Sequence, residues 1–176
     1  MEPLYQPYLR LTAAQRKLLC FLAYIGKTTD EKLLSIYQQV EDLKADQLKK
    51  LMDGLRAYYE SGSYYYRSEY QLSVSHVAPL ILYLLEAMPE WKVLFDKFFK
   101  KHQSHQAMLL MYKVECCLAG KPIELSSQVT AFREADILMP LASDERFMPL
   151  MTEMLDINRF VQNVVVYQIE NDIEHS

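Results

Sequence analysis

Apolar and polar positions follow the period of an α-helix along most of this chain and change to a shorter period in one place. Thr12-Ala13-Ala14-Gln15 forms a capping box, in which the Thr hydroxyl accepts from the third helical N–H and Gln15 reaches back. The helix it opens carries Leu18, Leu22 and Ile25 on one face with Leu19 and Ala23 beside them, while Arg16 and Lys17 point away. Gly26 closes it, at a position where left-handed backbone is cheap for glycine alone. Thr28-Thr29-Asp30-Glu31 reads as a second capping box, and Leu33, Leu34, Tyr37 and Val40 mark a short helix after it. Glu41-Asp42-Leu43 breaks the pattern. A third helix is expected near Lys44–Tyr59, with Asp46 in its acidic first turn. Its apolar stripe is Leu48, Leu51, Met52, Leu55 and Tyr59, and Gln47, Lys49, Lys50, Asp53 and Arg56 fill the remaining circumference.

The period then shortens. Ser61-Gly62-Ser63 is a turn signal, and Tyr64 to Val74 is dominated by strand formers. Tyr64 and Tyr66 would share one face of a strand, Tyr70, Leu72 and Val74 one face of the next, with Arg67-Ser68-Glu69 as the tight connection of a hairpin. From Ser75 the helical period returns. Val77, Ile81, Leu84, Leu85 and Met88 line one side, Pro79 falls in the first turn, and Pro89 ends the helix. Further helices are expected over about 90–101, 104–119, 128–139 and 144–172, with Gly120-Lys121-Pro122 as the clearest break. Val164 to Tyr167 has strand character but lies in a helical stretch and is read as helix. The class is mainly α, with two regions, 1–88 and 89–176, the second helical and suited to dimerisation or partner binding.

Helix, tight link, helix, turn, amphipathic helix, hairpin: over roughly residues 10–75 this order resembles the winged-helix family. The resemblance is one of topology and covers about two-fifths of the chain. It implies an N-terminal winged helix-turn-helix in which the third helix is the recognition element and the hairpin the wing, as in proteins that lay such a helix in the DNA major groove. Carried over, Lys44, Gln47, Lys49, Lys50 and Arg56 become nucleic-acid-contacting candidates, with Arg67 at the wing tip. Lysine and arginine would neutralise phosphates, and Gln47 would read an adenine edge. The chain departs from a DNA-binding pattern in two ways. Asp46 and Asp53 stand among the lysines, and the wing carries one arginine beside Glu69 with no basic cluster. A solvated helix face would carry the same residues.

Six of the 13 tyrosines lie at Tyr58, Tyr59, Tyr64, Tyr65, Tyr66 and Tyr70, so the hairpin offers rings on which bases could stack or, as the simpler reading, rings that pack beneath it. Tyr65 is the ring expected to point outward. Lys92, Lys97, Lys100, Lys101, His102 and His105 make the most basic short stretch, read as the polar side of a helix that buries Trp91, Leu94, Phe95, Phe98 and Phe99.

Composition narrows the classes. The chain has 176 residues, 51% of them hydrophobic, with a formal net charge of −4, which suits a packed core and not disorder. Charge is uneven: residues 1–120 hold 15 basic and 13 acidic side chains, whereas residues 121–176 hold four basic and ten acidic ones. Neither part has the strong basicity of a dedicated nucleic-acid binder. Leu80–Leu85 is the longest apolar run and is far too short to span a bilayer, and Met1-Glu2-Pro3 does not open a secretory leader. Cys20 lies in an apolar stretch, Cys116 and Cys117 are adjacent, and no CxxC occurs, so a reducing cytoplasm is the expected location.

Enzyme chemistry has little to stand on. The four glycines are too far apart to cradle a phosphate, and HExxH, GxSxG and Walker-type loops are missing. His102 and His105 are three apart with no further ligand at metal spacing, and Asp144-Glu145 reads as a helix start. The expectation is a non-catalytic protein with no cofactor, no metal and no small-molecule ligand. Two functions follow. One is DNA binding, in the manner of a transcription regulator, with duplex DNA as partner and a homodimer formed through the C-terminal helices. The other is a protein-interaction module, an N-terminal appendage of a larger helicase or remodelling ATPase. That second reading draws on the acidic last third and on Met139, Met148, Met151 and Met154 beside Pro140 and Pro149.

Overall fold

The capping box at Thr12 forms as expected. Thr12 N–H donates to Gln15 Oε1 at 3.0 Å and Gln15 N–H to Thr12 Oγ1 at 3.2 Å, opening α1 (Ala13–Ile25). Gly26 ends α1 at φ 69°, a backbone angle that a side chain would strain. This is a computed structural model, and it describes residues 2–64, 67–102, 105–123, 136–152 and 169–170. The described residues are mainly helical, with a small antiparallel sheet of three strands. The chain divides into two compact units, Met1–Tyr112 and Lys113–Ser176.

In the first unit, α1 is followed by β1 (Thr28–Thr29), α2 (Asp30–Tyr37) and α3 (Ala45–Gly54), then β2 (Tyr59–Tyr64) and β3 (Arg67–Leu72). The strand order is β1-β3-β2. α4 (Val74–Glu86) and α5 (Pro89–His102) complete it. The core is built around α1 and α4. Leu18, Leu19, Cys20, Phe21 and Leu22 are fully buried, and so is almost every side chain from Ala78 to Leu84. Phe21 stacks edge-on with Tyr37 of α2 and Phe95 of α5, at centroid distances of 4.9 and 5.5 Å. Cys20 is a reduced, buried thiol whose S–H points at Leu80 O, 3.9 Å away, and burial pushes its pKa up. α5 is tied to α1 through Tyr24, whose hydroxyl donates to Asp96 Oδ1 at 3.0 Å, while Lys92 holds the other carboxylate oxygen at 2.6 Å.

Several boundaries differ from the sequence reading, each for a physical reason. The second cap is Thr29, whose side chain accepts from Lys32 N–H. Thr28 is instead drawn into β1, opposite Tyr70, where the ladder satisfies its backbone. α3 stops at Gly54, a poor helix former, and Tyr59 leaves the expected helical stripe to begin β2. Ser61-Gly62-Ser63 is not a turn. It lies within β2, which among the described residues is an edge strand paired with β3, where small exposed residues cost little. Arg67 does not sit in a turn either; it is the first residue of β3, paired with Tyr64. Tyr65 and Tyr66 lie outside the described residues. α4 is wrapped nearly all round from Ala78 to Leu84, where a one-sided stripe was expected. On α5, Phe95 is buried, but Leu94 is exposed and Trp91 and Phe98 are half-buried, so the expected apolar face is narrower.

In the second unit, Val114, Cys116 and Cys117 are buried on α6 (His105–Ala119), as are Leu138, Leu141, Phe147 and Leu150 farther along. The chain takes short 3-10 turns at Met139–Leu141 and Glu145–Phe147 and is helical from 148 to 152. Most of the expected helix over 128–139, and of that over 144–172 including Val164 to Tyr167, lies outside the described residues. Among the described residues, no helix is long and apolar enough to cross a membrane.

Candidate interaction face

α3 and the hairpin after it share a common root. Leu48, Met52 and Leu55 are buried and fix which side of α3 faces the core. Beyond Gly54 the chain makes a 3-10 turn, Arg56–Tyr58, and Tyr59 folds back so that its hydroxyl donates to Met52 O at 2.9 Å. Tyr59 then meets Tyr70 of β3 edge-on at 5.3 Å. Tyr70 is half-buried and its pKa is pushed up to about 12, first by burial and then by its hydrogen bond to Asp30. Glu69, one residue earlier on β3, meets Lys27 at 3.4 Å, so the sheet is braced against the link between α1 and β1.

At the far end of the hairpin root lies a cluster that the sequence reading missed. Tyr8, in the 3-10 turn Gln6–Arg10, is buried and its hydroxyl hydrogen-bonds His76 Nδ1 of α4 at 2.5 Å. Tyr58 lies against both rings, 5.9 Å from Tyr8 and 5.0 Å from His76. Ser73 N–H donates to Tyr58 O, so the two ends of the hairpin meet here. Burial, with Tyr58 nearby, pushes the Tyr8 pKa up to about 12, and burial holds His76 below its ordinary value. Arg16 keeps the N-terminal turn in place by donating to Leu9 O at 3.0 Å and Leu11 O at 2.6 Å.

The outward side of α3 carries the residues singled out from the sequence. Lys44, Gln47, Lys49, Lys50 and Arg56 are all exposed. They are not equivalent. Gln47 is already engaged, its Oε1 accepting from Lys44 N–H at 2.7 Å; an ammonium has no lone pair with which to return the bond. Arg56 donates to Asp53 at 3.2 Å, which offsets its charge and raises its pKa. Lys44, Lys49 and Lys50 have no ion-pair partner among the described residues. Opposite the buried Leu48 and Leu55, the crest of the helix runs Asp46, Lys50, Asp53, at spacings of four and three residues, so charge alternates along it. Tyr65 and the Arg67 side chain lie outside the described residues. Of the tyrosines, Tyr58, Tyr59 and Tyr70 are half-buried in ring contacts and not free for stacking.

Among the described residues, no group of three or more His, Cys, Asp or Glu side chains is arranged to hold a metal. The side chains of His102 and His105 lie outside them. Comparison with known proteins finds no matching family model, no matching curated protein and no matching solved structure.

Proposed function

We propose that this chain is a non-catalytic winged-helix module that binds a partner protein through the outward face of α3. The order α1-β1-α2-α3-β2-β3, with β3 between β1 and β2, supports the winged-helix assignment. In that assignment α3 is the presented helix and the β2–β3 hairpin the wing. The observation that carries the choice of partner is the alternating crest Asp46–Lys50–Asp53. A polyanion facing it would bring phosphates or base-edge acceptors against two carboxylates, whereas a protein surface can meet both signs with complementary charges. Such a module suits an appendage of a larger nucleic-acid-dependent machine, such as a helicase or remodelling ATPase, where its part is to recruit or dock.

A benzophenone side chain in place of Lys50, in the cells that make the protein, is expected to crosslink to one protein. Asp46→Lys with Asp53→Lys should abolish that adduct. Adducts to nucleic acid alone would overturn the proposal. The second reading, duplex DNA binding, draws on Lys44, Lys49 and Lys50, three cations with no ion-pair partner among the described residues. On that reading Lys49→Glu with Lys50→Glu abolishes DNA binding and flattens its salt dependence.

A further inference from the structure

α5 meets the core along one side. Phe95 is fully buried against Phe21 and Tyr24, at centroid distances of 5.5 and 5.4 Å, and Asp96 is held by the Tyr24 hydroxyl and by Lys92. The opposite side carries Glu90, Val93, Leu94 and Lys97, all exposed, at the spacing i, i+3, i+4, i+7. At 3.6 residues per turn these four fall within about 100° of the circumference and along about 10 Å of the axis, so they form one stripe. Val93 is 55% and Leu94 37% exposed. Of the exposed large apolar side chains among the described residues, only these two are neighbours in the chain, and the stripe sets them side by side.

The ends of the stripe indicate what covers it. Glu90 stands three residues before Val93 and Lys97 three residues after Leu94, so the carboxylate and the ammonium are equidistant from the centre of the apolar pair. Neither is in an ion pair among the described residues. A second α5 laid antiparallel on the first sets each Glu90 beside the other copy's Lys97 and closes the two apolar pairs on each other. A parallel copy would set carboxylate against carboxylate and ammonium against ammonium. A partner of another sequence needs no such symmetry. A copy of the same chain does, because across a two-fold axis one patch must complement itself.

We infer that two copies of this chain associate through antiparallel α5 helices, with Val93 and Leu94 at the centre and Glu90 paired to Lys97 across each end. The stripe lies on a different helix from α3 and does not depend on the reading given to that face. Two turns of helix offer far less than the roughly 800 Å² per partner of a standard interface, so the dimer is weak and reversible. Translational diffusion of the full chain, measured by NMR at low salt from about 0.02 mM to about 1 mM, should report monomer at the low end and a growing dimer fraction at the high end. Val93→Ser removes apolar contact from both copies and should weaken association at least about tenfold. Glu90→Lys and Lys97→Glu should each weaken it at least about tenfold, because each brings like charges together at both ends of the pair. An equimolar mixture of those two variants should recover association, since every charge then meets its opposite. Recovery would also show that both variants fold. A chain that stays monomeric to about 1 mM would overturn the proposal and leave the stripe to a partner of another sequence. Association indifferent to Val93→Ser, or a mixture that recovers nothing, would overturn it as well.

Discussion

Helices α3 and α4 belong to the same unit, yet they meet their surroundings in opposite ways. α4 buries seven successive residues from Ala78 to Leu84, so core surrounds it through two turns. α3 buries only Leu48 and Met52 among its ten residues and leaves Asp46, Gln47, Lys49, Lys50 and Asp53 in water. A helix enclosed on every side holds the fold. A helix anchored along one stripe, with a patterned outer face, is free to be read by something else. The contrast separates the residues that keep the protein folded from those that would give it a partner.

The largest effect expected from this contrast is in the core. Leu80→Ala, at a fully buried site, should cost about 2–5 kcal/mol in urea unfolding. A loss below 1 kcal/mol, by the scale of ordinary surface changes, would mean that α4 is not the enclosed element. Next is the α1 cap. Thr12→Ala removes a hydroxyl that accepts from Gln15 N–H, and about 1 kcal/mol should go with it, while Thr12→Ser restores most of that.

A pH effect follows at the hairpin root. Because burial holds the folded-state pKa of His76 below its ordinary value near 6.5, the unfolded chain takes up a proton first as pH falls. The neutral-imidazole contribution is therefore complete above about pH 6.5 and is lost as pH drops through the folded pKa. Unfolding midpoints recorded at neutral pH and near pH 5 should show the decline, and His76→Phe should remove this part of it. An unchanged slope in that variant would place the acid sensitivity elsewhere. The smallest effect belongs to the crest of α3: Lys50→Ala should change stability by no more than about 0.5 kcal/mol, the usual range for an exposed site.

The features legible in the sequence are those whose causes are local. The Thr12–Gln15 box, the Gly26 stop and the burial of Leu48 and Met52 each depend on residues within a turn or two. The parts that were not legible depend on distant partners. Thr28 and Thr29 form a strand only because Tyr70 and Glu69 come alongside from some forty positions later. Tyr8 meets His76 across 68 positions, and nothing near either residue announces it. Tyr59 has the spacing of the α3 stripe and the shape of a strand former, and its ladder with Leu72 decides between them. The lysines of the candidate face were found from sequence because exposed cations follow from helical period alone. That Gln47 and Arg56 are engaged within α3 and its C-terminal turn depended on side-chain geometry.

The outward face of α3 is most directly tested by titrating the full chain with duplex DNA of mixed sequence at low salt. An alternating crest predicts no saturable binding, and no change when Lys49 and Lys50 are replaced by glutamate. Saturable binding that weakens steeply with salt and disappears in that double variant would contradict the protein-partner account and put α3 on DNA.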